Sequence, residues 1–156
     1  MTYLQRERFT ETQAFAVWAY GVLLLVAVPS LGSLAFGIGK ASSLRWMLPV
    51  DALVMALVFN LLCLRTTVTD QELIATLGAL FPLYRRRIRL ADITAAEAVM
   101  YSPIAEYGGW GIRGWGKNTA LNARGNRGVR LTLRDGRRVL IGSQRPDELA
   151  EALAAR

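Results

Sequence analysis

The chain has 156 residues, with 19 Lys and Arg against 12 Asp and Glu, and it contains no histidine. The missing histidine removes the usual near-neutral general base and the commonest metal ligand, and the single cysteine, Cys63, excludes an internal disulfide. Of the formal net charge of +7, a share of +6 falls in residues 65–156, where 15 basic residues oppose 9 acidic ones. The composition therefore divides the chain into an apolar front and a basic second half.

Two segments with almost no charge occupy the front of the chain. Residues 12–39 have no charged side chain, and residues 46–64 carry only Asp51. Because a helix rises about 1.5 Å per residue and the apolar core of a bilayer is about 30 Å thick, the first segment exceeds the required length and the second just reaches it. The pattern predicts a membrane α-helical hairpin over residues 13–64, with spans at about 13–39 and 46–64, after an N-terminal cytoplasmic tail of residues 1–12.

Asp51 is a candidate intramembrane polar residue, because acidic side chains inside membrane segments are usually functional. The alternative is structural and is the one we favour: Pro49 suits the first position of a helix, which would place Asp51 in the first turn near the membrane surface. Both interpretations remain open at this point. Small residues four apart, such as Ala52 and Ala56, favour packing of the two spans, with formation of a homo-oligomer as an alternative.

The distribution of basic residues predicts the orientation. Arg65 and the basic run at 85–89 follow the second segment, and cytoplasmic loops carry the excess of Lys and Arg. We therefore expect a multi-pass protein of the cell (inner) membrane with both termini in the cytoplasm.

Beyond Arg65 the pattern changes to that of short strands. β-branched and apolar runs predict strands at residues 66–69, 73–77 and 83–90, while 93–99 is ambiguous between strand and helix. Asp135-Gly136 joins two alternating runs within 128–143, which is a strong signal for a hairpin. Pro146 suits the start of a C-terminal helix. We expect an α+β domain over residues 65–156, a small β-barrel or sandwich closed by that helix.

Three segments carry a resemblance to a known family. Gly-Gly-Trp-Gly-Ile-Arg at 108–113, Arg-Gly-Val at 127–129 and Ile-Gly-Ser-Gln-Arg-Pro at 141–146 resemble bacterial membrane proteins with a pleckstrin-homology-like (PH-like) domain preceded by two transmembrane helices. The resemblance covers about residues 60–156 and, more loosely, the two spans. It implies a PH-like fold at a membrane. It implies no common enzymatic activity, and the domains of that family look like binding or assembly modules.

Two groups of residues are candidates for binding lipid or a partner protein. The first is the basic run Arg85, Arg86, Arg87 and Arg89, because a basic residue close to a membrane is attracted to anionic headgroups by about 1 kcal/mol. The second lies in the aromatic, glycine-rich segment 101–118 and consists of Tyr107, Trp110, Arg113 and Trp115. The alternatives are a solvated strand face for the first group and a barrel-capping excursion for the second.

No set of residues predicts catalysis, a metal site or a cofactor. The segment from Gly111 to Asn118 resembles a phosphate-binding loop, but Asn118 stands where that loop needs Ser or Thr, so nucleotide binding is not expected. Nucleic acid is also not expected, because lipid phosphate is the nearer anion for a tethered domain. We predict a non-catalytic membrane protein whose cytoplasmic domain is a lipid- or protein-binding adaptor; the alternative is an accessory subunit of a transporter or larger membrane complex.

Overall fold

The computed structural model describes residues 6–15, 21, 24–25, 28, 41–78 and 80–155, without the side chains of residues 41–48, 51, 61 and 115. Most of the predicted first span at 13–39 lies outside the described residues. Of its middle, residues 21, 24, 25 and 28 are described, and they are helical.

Four antiparallel strands in the order β1-β2-β3-β4 form the first sheet. They are β1 (Glu7–Ala14), β2 (Cys63–Thr69), β3 (Glu72–Leu77) and β4 (Tyr84–Arg89). Ala14 lies opposite Cys63, and Leu77 lies opposite Tyr84. The end of β1, the start of β2, the end of β3 and the start of β4 therefore lie side by side at one end of the strands. We call this side of the sheet the proximal edge.

Five strands in the order β5-β8-β9-β7-β6 form the second sheet. They are β5 (Ile93–Met100), β6 (Gly111–Trp115), β7 (Asn118–Asn122), β8 (Arg127–Leu133) and β9 (Arg138–Gly142). The pair β7–β9 is parallel and the other pairs are antiparallel. The ambiguous segment 93–99 is thus a strand, and a short 3-10 turn, Leu90–Asp92, connects it to the first sheet.

The helices are α1 (Ala41–Leu61), α2 (Pro103–Tyr107) and α3 (Pro146–Ala154). The predicted C-terminal helix is confirmed: Pro146 occupies its first turn, and it buries Leu149 and Leu153. Contacts of α3 with β1, β2, β5 and β8 place it across both sheets. Because its apolar stripe is buried there, α3 closes the open side of the domain.

The core lies between the two sheets. Alternate residues of each strand point inward, as expected for sheets with one buried face. Its largest fully buried side chains are Leu64, Leu73, Leu121, Leu131, Ile141 and Leu149. Leu140, on the opposite face of β9, packs with Tyr101 and Ala120 in a smaller cluster. The structure confirms an α+β domain, a small β-sandwich of two sheets with a C-terminal helix.

The first strand was not expected from the sequence, which assigned residues 1–12 to a tail and residue 13 to the first span. In the structure Glu7–Ala14 is β1, and its Phe9, Glu11 and Gln13 face inward. Two of these inward residues are polar, so the segment lacks the alternation of apolar and polar residues that predicts a strand. Its sequence is therefore typical of a charged tail. Residues 142–144 bond both oxygens of Glu11 and the side-chain nitrogen of Gln13, as the next subsection describes.

Helix α1 differs from the prediction at both ends. It begins at Ala41, so the expectation that Pro49 opens it and Asp51 lies in its first turn is wrong; Pro49 is inside the helix. An interior proline costs about 3 kcal/mol, yet the eight residues before it remain helical. The helix ends at Leu61, because Cys63 and the following residue pair with β1 and β3. In the described part of the chain, no helix has both the length and the apolar character to cross a membrane.

Candidate functional site

Strand β4 carries the basic run that the sequence singled out. Arg85, Arg87 and Arg89 are exposed on the outer face of the first sheet, as their alternation predicts. Arg86 points the other way, towards the core side, and its Nη1 donates to Thr119 Oγ1 on β7 at 2.7 Å. The four arginines are therefore not one surface, because one of them ties the two sheets together.

A cleft of about 340 Å³ lies between β4 and the turn that joins β8 to β9. Five arginines line it: Arg86, Arg87, Arg89, Arg134 and Arg137. Asp92, Asp135, Ile88 and Leu133 complete the lining. We call this site the arginine cleft. Sequence analysis found its β4 side but missed its other side, since only the fold brings the β8–β9 turn next to β4.

The carboxylates of the arginine cleft do not neutralise it. Asp135 is engaged within its own turn: its two oxygens accept from Arg137 N at 2.9 Å and Arg137 Nε at 2.6 Å. The hydrogen bond from that backbone N–H, helped by the guanidinium, lowers the pKa of Asp135 and keeps it charged. Arg87 lies 3.9 Å from Glu72. Among the described residues, Arg89 and Arg134 form no ion pair with a carboxylate.

A second candidate surface lies at the proximal edge. There Asn60, at the end of α1 and only 3% exposed, holds the loop between β3 and β4. Its Oδ1 accepts from Leu80 N at 2.6 Å and Phe81 N at 3.0 Å, and its Nδ2 donates to Phe81 O at 2.8 Å. The backbone of this loop is fixed, yet the side chains of Leu80 and Phe81 are 78% and 70% exposed. We call residues 80–83 the Asn60-held loop.

A shallow groove of about 760 Å³ continues from the Asn60-held loop over the outer face of the first sheet. Arg65 and Arg85 line it on either side of Thr76, with Leu80 and Pro82 at the loop end. Apolar side chains and cationic side chains are thus adjacent at the proximal edge. This combination suits the interface of a bilayer, where apolar side chains contact the acyl chains and cationic side chains contact anionic headgroups.

The aromatic segment forms a separate structure. Tyr107, in α2, packs edge-on against buried Tyr101 with ring centroids 5.9 Å apart. Trp110 Nε1 donates to Gly125 O at 3.1 Å, and Arg113 Nε donates to Trp110 O at 2.8 Å. These contacts with the rest of the domain and within the segment favour the structural alternative for Tyr107 and Trp110. The side chain of Trp115, like that of Asp51, lies outside the described residues.

The near match to a phosphate-binding loop is a β-hairpin. Gly111–Trp115 and Asn118–Asn122 are paired strands, so no helix follows the glycines. A phosphate-binding loop needs a helix at that point to present its N–H groups. Among the residues that the structure describes, no group of three or more acidic or cysteine side chains is placed to hold a metal ion.

The third resemblance segment, 141–146, holds β1 in place. Glu11 Oε2 accepts from Ser143 Oγ at 2.6 Å and Glu11 Oε1 accepts from Gln144 N at 2.9 Å. Gln13 Nε2 donates to Gly142 O at 2.8 Å. Arg145 Nη2 donates to a β1 carbonyl oxygen at 2.8 Å. We call this set the β1 junction; its polar groups serve the fold.

Sequence reasoning assigned no role to Asn60, which holds the loop of the second candidate surface, or to Glu11, which holds β1. A lone amide at the end of an apolar run is a signal that could have identified Asn60, because a polar side chain there requires partners.

No protein-family model matches this chain, and no curated protein matches it.

Proposed function

We propose that this chain is a non-catalytic protein of the cell membrane, and that its PH-like domain acts as an adaptor with the proximal edge against the lipid. The observation that carries the proposal is where the apolar excursion begins and ends. Phe15 N donates to Leu62 O at 3.0 Å, so the chain leaves the domain and returns to it at one point. A segment that leaves and returns on the same side crosses a bilayer an even number of times, which supports a two-span hairpin.

The Asn60-held loop supports contact with lipid. Leucine and phenylalanine side chains that are more than two thirds exposed cost free energy in water, at roughly 25 cal/mol for each Å² of apolar surface. They do not collapse onto the core, because Asn60 fixes their backbone. Insertion into the headgroup region removes this cost and needs no rearrangement.

Helix α1 and the nearby arginines support the same placement. Val50, Leu53 and Leu57 are exposed along α1, which enters the domain at the proximal edge. Arg65 and Arg85 both lie opposite Thr76, within two residues of that edge, where each would gain about 1 kcal/mol from anionic headgroups. Both sets would be satisfied by one lipid surface. Under this proposal both termini lie in the cytoplasm, and the part of the shallow groove away from the proximal edge faces a protein partner of the membrane or cytoplasm.

A spin-label experiment tests the placement. The full-length chain with Cys63→Ser receives a nitroxide at Phe81→Cys and is reconstituted into vesicles containing an anionic lipid. We expect the label at residue 81 to collide with oxygen, which concentrates in the acyl region, more often than with a water-soluble nickel complex. A label at Ala91→Cys is the control, because Ala91 is exposed just beyond the far end of β4, about 20 Å along the strand.

Two outcomes would contradict the proposal. Equal accessibility of both labels to the nickel complex would remove the contact between loop and lipid. A full-length chain that remains monomeric in water without any amphiphile would remove the membrane assignment itself.

The accessory-subunit alternative has one observation in its favour. A partner helix in place of lipid could cover the exposed apolar side chains of α1, the helix that also contains Asp51. Leu53→Arg would then release a stoichiometric membrane partner during purification in mild detergent. If the wild-type chain purifies alone under the same conditions, this alternative fails.

A further inference from the structure

The arginine cleft gathers cations from two parts of the chain that lie about 50 residues apart. Arg86, Arg87 and Arg89 come from β4, and Arg134 and Arg137 come from the β8–β9 turn. Against these five stand two carboxylates, Asp92 and Asp135, so the lining has a formal excess of three positive charges. Like charges this close repel one another, and the repulsion falls when an anion lies between them.

The contacts in the arginine cleft leave hydrogen-bond donors free for such an anion. Asp135 accepts a hydrogen bond from Arg137, and Arg86 donates one to Thr119. In the described part of the chain, Arg89 and Arg134 pair with no carboxylate, and they face the cleft from its two sides. Two guanidinium groups on opposite walls can bind one ligand from both sides.

We propose that the arginine cleft is a binding site for an anion that carries two or more phosphoryl groups. A planar guanidinium presents paired N–H donors that match phosphoryl oxygens in a bidentate arrangement. A volume of about 340 Å³ exceeds what one phosphate ion fills. The lining supplies Ile88 and Leu133 as its apolar residues, so the site favours charge over a hydrocarbon group.

The position of the arginine cleft bears on the source of the phosphoryl groups. Arg87 and Arg89 lie three and five residues along β4 from Tyr84 at the proximal edge, which is about 10 and 17 Å. A water-soluble polyphosphorylated compound and a phosphorylated lipid headgroup share this chemistry. The cleft proposal rests on residues other than those of the Asn60-held loop, so it stands or falls independently of the membrane placement.

Calorimetric titration of the full-length chain in a neutral detergent with sodium tripolyphosphate tests the site. We expect saturable binding that weakens as salt rises. Arg89→Gln with Arg134→Gln should weaken it by about a hundredfold, since each lost charged hydrogen bond corresponds to about tenfold. Arg124→Gln with Arg127→Gln is the matched control: it removes the same charge, and these residues lie at or beyond the end of β8 remote from the cleft. The control should bind within about twofold of wild type.

Two further measurements keep the result interpretable. Thermal unfolding followed by circular dichroism shows whether the cleft variant is folded. Arg89→Lys keeps the charge but not the paired N–H donors of the guanidinium, so its affinity for tripolyphosphate should fall by an intermediate factor of about tenfold or less. Mixed micelles with diacylglycerol pyrophosphate, a lipid whose headgroup carries two phosphoryl groups, separate the sources. Competition with tripolyphosphate at the cleft identifies a lipid headgroup as a ligand, and binding of tripolyphosphate without such competition identifies a soluble one. Absence of saturable binding, or an equal loss in the control variant, would overturn the proposal.

Discussion

The β1 junction and the arginine cleft are both rich in polar groups, yet they are arranged in opposite ways. In the junction, the carboxylate of Glu11 is 7% exposed and both of its oxygens accept hydrogen bonds from protein groups. In the cleft, Arg89 and Arg134 face open space, and among the described residues no carboxylate pairs with them. Buried polar groups need internal partners, whereas charged groups at an open cleft can take partners from solution. A structural cluster therefore differs from a candidate binding site in whether groups of the protein itself supply the hydrogen-bond and ion-pair partners.

Removing the carboxylate of the junction should have the largest effect on stability. Glu11→Ala leaves the buried Ser143 hydroxyl and the partly buried Gln144 N–H without their acceptor, so we expect the free energy of unfolding to fall by about 3 kcal/mol. Urea unfolding measures it. Glu7→Ala is the control on the same strand, because Glu7 is exposed, and its effect should stay below about 0.5 kcal/mol. Similar losses in both variants would end the distinction between a buried and an exposed acid on β1.

The Asn60-held loop tests whether an exposed surface can depend on a buried amide. Asn60→Ala removes three hydrogen bonds to residues 80 and 81, so we expect a loss of about 2 kcal/mol and faster hydrogen exchange at both amides. Asn126→Ala replaces an exposed asparagine and serves as the control. Unchanged exchange at residues 80 and 81 would show that Asn60 does not fix the loop.

Arg86 belongs to the arginine cleft by position and to the fold by its bond to Thr119. Thr119→Val removes the acceptor without changing the charge, and we expect the free energy of unfolding to fall by about 1 kcal/mol. Thr76→Val, on the outer face of β3, should have almost no effect, because its side chain makes no hydrogen bond among the described residues. If the two substitutions prove equivalent, the link between the sheets contributes nothing.

Tyr101 should give the smallest effect at neutral pH. Its hydroxyl and the side-chain nitrogen of Asn122 are buried, and neither has a hydrogen-bond partner in the described part of the structure. Tyr101→Phe should therefore leave stability unchanged or raise it by up to about 1 kcal/mol in urea unfolding.

A pH series extends this prediction. Burial raises the pKa of Tyr101 above its ordinary value of 10.0, with a smaller opposing effect from the Asn122 amide. The folded state then favours the neutral phenol, so its contribution is complete below pH 10.0 and is lost as pH rises through the folded pKa. Wild type should lose stability above pH 10.0 more steeply than Tyr101→Phe. Parallel pH profiles would contradict burial of the phenol.

The sequence predicted the parts of the fold that local pattern determines. The alternation around Asp135-Gly136, the runs that became β2 to β4 and the proline at the start of α3 each carry their own signal. It did not predict β1, because Glu11 and Gln13 are polar residues on the inward face and their partners are about 130 residues away. Half of the arginine cleft was missed for the same reason. Arg134 and Arg137 have no local feature that marks them, and only the packing of the sheets brings them to β4.

The β1 junction also sets the order in which this domain can be completed. Glu11 is synthesised well before Ser143, which donates to its carboxylate and lies 132 positions later in the chain. Strand β1 can pair with β2 earlier, but the Glu11 carboxylate remains without this donor until residue 143 has left the ribosome. A nascent chain stalled before residue 143 could therefore form the β1–β2 ladder but would leave the inward-facing acid of β1 without its hydrogen bonds.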